Sequence, residues 1–97
     1  MITVLVQKKV YKISGHACYD LPGKDIVCAS VSSVVYTTIN AIMNIKEDAI
    51  EYIDDTDIII KIITHTKVVD KLLKNMLDIL IDLSEQYPEN IKIVKGE

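Results

Sequence analysis

The sequence has no tryptophan and no phenylalanine, and its only aromatic residues are five tyrosines. Its core must therefore be aliphatic. Runs such as DIIIKII are rich in β-branched isoleucine, which favours strands. Clustered basic charge is also missing. The net charge is −3 and the lysines are scattered, which argues against a nucleic-acid surface, where phosphates must be neutralised by grouped cations. No apolar run approaches the roughly 18–20 residues of a membrane helix. The beginning, MITVLVQKKV, has neither a charged leader nor a small-residue cleavage site. A cytoplasmic protein with no membrane and no direct nucleic-acid partner is expected. Only two cysteines occur, Cys18 and Cys28. In a reducing compartment they are not expected to form a structural disulfide, which leaves free thiols, metal ligands or nucleophiles.

What is present fits one small domain spanning residues 1–97. Hydrophobic residues make up 49% and charged residues 26% of the chain, an ordinary globular balance. A domain of this size buries only about 60–65% of its unfolded surface, so its margin of stability is small and a dimer interface would help.

Periodicity gives the elements. ITVLVQ alternates, with Ile2, Val4 and Val6 on one face, and VYKIS follows after a turn at Lys8-Lys9. GHACYDLPGKD has no period and carries Gly15, Pro22 and Gly23, so it reads as a loop, longer than most connections. Asp25 is a good N-cap for a helix whose apolar stripe is Val27, Val31, Val34, Val35, Thr38, Ile39 and Ile42, fading near Asn44. DAIEYI and DIIIKIIT read as strands about a turn at Asp54-Asp55-Thr56. A second helix runs from about Val68 to Gln86, buries Val69, Leu72, Leu73, Met76, Leu80 and Leu83, and stops before Pro88. NIKIVK is a last strand. The order β-β-α-β-β-α-β predicts an α+β fold, a mixed sheet with two helices packed on one face.

The chemistry lies in SGHACYDLPGKDIVCASVSS, Ser14 to Ser33. With Asp25 as N-cap, Cys28 falls in the first helical turn, where free N–H groups and the helix dipole favour a thiolate. The Asp25 carboxylate works against this, so a cation beside the sulfur is needed, and His16 is the candidate within the stretch. An imidazole there also supplies a transferable proton. The plainer alternative makes Cys28 a small core residue and His16 a hydrogen-bonded surface group. A third reading, zinc held by His16, Cys18, Cys28 and His65, lacks the close cysteine pairs of structural sites. His65 reads better as a surface or helix-start residue, and no metal and no cofactor are expected.

GHA, the loop ending in Gly-x-Asp, and DIVCASVS together resemble the signature of the ribosomal-processing cysteine protease family (Prp), and YPENIKI is similar to that family's closing segment. The resemblance covers most of the chain. It implies a homodimeric cysteine peptidase that removes a short N-terminal extension from a large-subunit ribosomal protein, cleaving after an aromatic-containing motif. Carried over to this sequence, the nucleophile is Cys28 and the general base His16. Asp25 and Ser32 match supporting or substrate-contacting positions, and Gly15, Ala17 and Gly23 match the motif and its loop. First-turn N–H groups, that of Cys28 included, are the expected oxyanion donors, and the loop from Cys18 to Lys24 is expected to cover the substrate. Asp25 is expected to cap the helix rather than to orient His16. Cys18 has no counterpart in the pattern; the expectation for it is no catalytic role, with a Cys18–Cys28 disulfide under oxidation as a liability. The competing reading is a non-catalytic dimeric α+β module that binds a ribosomal component.

Overall fold

A computed structural model describes residues 1–21 and 23–96; Pro22, in the expected loop, and Glu97 lie outside the described residues. The elements are β1 (Ile2–Val6), β2 (Val10–Ser14), α1 (Ile26–Ile45), β3 (Ile50–Asp54), β4 (Ile58–Ile62), α2 (Lys67–Gln86) and β5 (Ile91–Lys95). The expected order and class hold. The strands form one mixed sheet, β3-β4-β2-β1-β5, in which β1 and β5 are parallel and the other neighbours antiparallel.

Both helices cover one face of that sheet. The connections β2-α1-β3 and β4-α2-β5 each join parallel strands and step in opposite directions along the sheet, and β2 and β4 themselves run in opposite directions. Two right-handed crossovers with those reversals land on the same face. The register puts Ile2 beside Ile91, Val4 beside Ile13 and Ile50 beside Ile62, and all six are buried in a single cluster. From above, Val27, Val31, Val35, Ile39 and Ile42 of α1 and Val69, Leu73, Met76 and Leu80 of α2 complete it. Fully burying one such aliphatic side chain contributes about 1.5–3 kcal/mol. Val34, Leu72 and Leu83, expected on the buried stripes, pack only partly buried at its margin.

Element ends shift by a residue or two, each for a hydrogen-bonding reason. Asp54 closes β3, paired with Ile58, so the turn lies at Asp55–Asp57, where the Asp55 N–H donates to the Asp57 carbonyl. β4 ends at Ile62 because the N–H groups of Ile63 and Thr64 both donate to the Ala49 carbonyl rather than to a neighbouring strand. α2 begins at Lys67 because Thr66 is its N-cap and accepts from the Val69 N–H.

The expectation that no segment is long and apolar enough for a membrane helix needs correcting. α1 carries no charged side chain along its 20 residues and is long and apolar enough, by length and composition, to cross a membrane. Its Ser, Thr and Asn residues interrupt the apolar runs without adding charge. In the fold the apolar stripe packs into the core, and the hydroxyls of Ser30 and Thr38 bond back to the carbonyls of Ile26 and Val34.

Candidate active site

One end of the sheet gathers the end of β2, the starts of β1, β4 and β5 and the end of β3, and the N-terminus of α1 meets it there. Gly15 turns the chain out of β2 at φ +84°, passing so close to the first residue that a Cβ there would lie 2.3 Å from the Met1 carbonyl oxygen. Glycine is therefore demanded twice, by conformation and by space. His16 follows, exposed at the strand end, and Ala17 plugs into the core at 1% exposure.

Asp25 joins the loop to the helix. Its Oδ1 accepts the N–H groups of Val27 and Cys28, both at 3.0 Å, and its Oδ2 accepts those of Tyr19 at 2.9 Å and Asp20 at 3.3 Å. These donors, Cys28 first, hold the Asp25 carboxyl below its ordinary range. The carboxylate is a helix cap, as expected, and also folds the loop; all its hydrogen bonds among the described residues come from backbone N–H groups, so it does not orient His16. One expectation fails here. The Val27 and Cys28 N–H groups are engaged by Asp25, so they do not face an incoming oxyanion.

The donor that faces the thiol is instead the Ala17 N–H, 3.2 Å from Cys28 Sγ. That bond brings the residue after His16 onto the first turn of α1, across eleven positions of sequence. Around it lies a cavity of about 630 Å³ lined by His16, Cys18, Gly23, Asp25, Cys28 and Ser32. A second cavity, of about 240 Å³, runs to Tyr36, Asp54 and Asp55. His16, Cys28 and Ser32 line both, so the half-buried thiol sits where the two meet. Ser32, one turn after Cys28, is exposed on the same helix face, as its spacing predicts.

Cys18 is an exposed free thiol on the larger cavity, with a left-handed backbone (φ 55°) unusual for a residue other than glycine. The zinc set does not assemble. His65 follows β4, whose last residue binds back to Lys9 before β2, whereas His16 follows the far end of β2. A strand of five residues, about 16 Å, separates the two ends. His65 instead bonds Asp70 at 2.9 Å in the first turn of α2.

Three contributors were not singled out by spacing. The side-chain N–H of Asn90 donates to the Ala17 carbonyl at 2.9 Å. Tyr87 meets Tyr19 edge to face, with ring centroids 5.4 Å apart. The Tyr36 hydroxyl donates to Asp54 on the rim of the smaller cavity. Asn90 and Tyr87 belong to YPENIKI, whose likeness to a family segment was the available signal; nothing local marked Tyr36.

The family model described as Cysteine protease Prp matches residues 1–92. The chain belongs to this family. It is 34% identical to the ribosomal processing cysteine protease Prp of Staphylococcus aureus (strain Mu50), over 95% of this chain and 92% of that one. Its fold is similar to the crystal structure of the S. aureus Prp protease in complex with a covalently linked product peptide, with a TM-score of 0.94 and 27% identity, over 99% of this chain and 100% of that one. A structure of the S. aureus protease with a substrate peptide gives a TM-score of 0.88 at 26% identity, with the same coverage. This Prp-family chain is thus a cysteine protease, which sets aside the non-catalytic module.

Proposed function

We propose that the protein is an endopeptidase that removes the short N-terminal extension of a large-subunit ribosomal protein, cutting after an aromatic-containing motif, with Cys28 as nucleophile and His16 as general base and acid. The observation that carries this reading is that His16 and Cys28 line both cavities, so a peptide crossing from one to the other passes the sulfur. The S. aureus relatives support it, being named for ribosomal processing and seen with substrate and product peptides.

In this reading His16 takes the thiol proton and the Cys28 sulfur attacks the scissile carbonyl. His16 then protonates the leaving amine. The resulting thioester is opened by a water that His16 deprotonates, which releases the new carboxylate and restores the thiol. The Ala17 N–H supports the negative sulfur before attack and is a donor for the oxyanion that develops on the carbon bonded to that sulfur. Ser32 and Gly23 contact the substrate along the larger cavity. The reading extends to a homodimer working in the cytoplasm. Light scattering of the purified chain and fractionation of cells test those two points.

The deciding experiment incubates the protein with a precursor ribosomal protein bearing a phenylalanine-containing extension and follows its N-terminus by mass spectrometry. Wild type is expected to trim it; Cys28→Ala and His16→Ala are expected to leave it intact. Trimming by Cys28→Ala overturns the assignment of the nucleophile, and no trimming by wild type overturns the substrate.

A further inference from the structure

Ala17 is held from both sides. The peptide group before its Cα donates to Cys28 Sγ, and the one after it accepts from the Asn90 side chain. Asn90 is itself fixed by its backbone: its N–H donates to the Tyr87 carbonyl at 3.0 Å and its carbonyl accepts the Ile2 N–H at 2.8 Å. Those backbone bonds tie position 90 to the C-terminal end of α2 and to the first residue of β1. The side chain is thus spare for one task, reaching 73 positions back in sequence to the loop that carries His16.

We propose that Asn90 is a positioning residue for the reaction: by holding the Ala17 carbonyl it fixes the Ala17 N–H on the Cys28 sulfur and sets the direction in which His16 leaves the strand. It touches no reacting atom. The backbone on either side makes a tether necessary. Gly15, two residues before Ala17, and Cys18, directly after it, both have left-handed backbones, so His16 and the anchored Ala17 lie between two reversals. The buried Ala17 methyl resists withdrawal of the segment but not rotation of the peptide groups beside it. A hydrogen bond to the carbonyl opposes rotation of the peptide group after Ala17, because turning it moves the acceptor off the amide of Asn90; with that group and the methyl both held, the Ala17 Cα is fixed and the N–H on its other side keeps its place on the sulfur. The inference rests on Cys28 being the nucleophile.

The test uses the full chain with Asn90→Asp, which keeps the shape but presents an acceptor to the Ala17 carbonyl, and Asn90→Ala, which removes the group. Neither substitution touches the backbone bonds of position 90. Both variants are expected to lose about tenfold in kcat or more on the precursor substrate, as for the loss of one well-placed hydrogen bond, with KM within about twofold. Alkylation by iodoacetamide, followed residue by residue by mass spectrometry, is expected to change at Cys28 while Cys18 keeps its rate. A kcat within about twofold of wild type for Asn90→Asp overturns the inference. So does a loss that merely follows the unfolded fraction in a thermal melt. Cys28→Ala is run alongside: activity in that variant sinks the nucleophile itself, whereas an inactive Cys28→Ala beside a fully active Asn90→Asp sinks the role of Asn90 alone.

Discussion

The Cys28 backbone N–H donates to Asp25 Oδ1 at 3.0 Å, so the residue that carries the candidate nucleophile is also the one whose amide completes the helix cap. The other oxygen of the same carboxylate holds Tyr19 and Asp20. One side chain therefore caps the start of α1 and ties the loop to it.

Asp25→Asn separates these tasks. The amide oxygen can keep the cap on Val27 and Cys28, while its NH₂ group then faces the Tyr19 and Asp20 N–H groups, two donors against donors. The expected result is a nearly unchanged helix content by circular dichroism, faster amide exchange at Tyr19 and Asp20, and a KM raised severalfold. Asp25→Ala is expected to lose the cap as well and to melt at a lower temperature.

The same carboxylate sets an acid limit. Because its folded pKa lies below the ordinary 3.8, the folded state favours the ionised form. The stability this contributes is complete above the ordinary value and is lost as pH falls through the lower, folded value. Wild type is expected to lose stability more steeply than Asp25→Asn below about pH 4, and urea melts across that range check the difference in slope.

At the other end of the pH scale stands Tyr36. Its bond to the Asp54 carboxylate, with burial adding, pushes the hydroxyl up to about 12. The bond's contribution is complete below the ordinary value of 10.0 and is lost as pH rises through about 12. Burial also raises the Tyr11 hydroxyl, so tyrosinate absorbance is expected to show late-titrating rings in wild type and to lose one of them, that of Tyr36, in Tyr36→Phe.

Gly15 and Gly23 share φ +84° but not their surroundings, since a Cβ on Gly15 meets the Met1 carbonyl whereas one on Gly23 meets nothing within 4 Å. Gly23→Ala is expected to cost about 1 kcal/mol, from the left-handed backbone alone. Gly15→Ala must also push β1 aside, and is expected to cost at least about 3 kcal/mol and to displace His16. Chemical denaturation of the two variants gives the comparison.

Cys18 and Cys28 line the same cavity, which gives the second thiol a consequence. Hydrogen peroxide is expected to convert Cys28 to a sulfenic acid with loss of water; attack by the Cys18 sulfur then closes a disulfide and releases a second water. Intact mass is expected to fall by two hydrogens and activity to return with dithiothreitol. In Cys18→Ser the same excess of peroxide is expected to carry Cys28 on to the sulfinic acid, which dithiothreitol does not reverse.

Alternation in ITVLVQ, the stripe from Val27 to Ile42 and the cap at Asp25 determined the strands, the helices and the place of Cys28 in its first turn. They could do so because a period and a cap are read within one or two turns of chain. The His16-to-Cys28 spacing likewise proposed a meeting across the loop. Which atom meets the sulfur was decided only in three dimensions. The cap engages two of the first-turn amides, those of Val27 and Cys28, and the donor on the sulfur comes instead from Ala17, in the loop. Asn90 reaches that loop only because β5 lies parallel to β1 and starts beside Ile2, a pairing of residues far apart in sequence that no local pattern encodes. His65 was likewise separated from His16 by the direction of the strands, not by its identity. Local interactions set what each segment is; the sheet order set what each functional group touches.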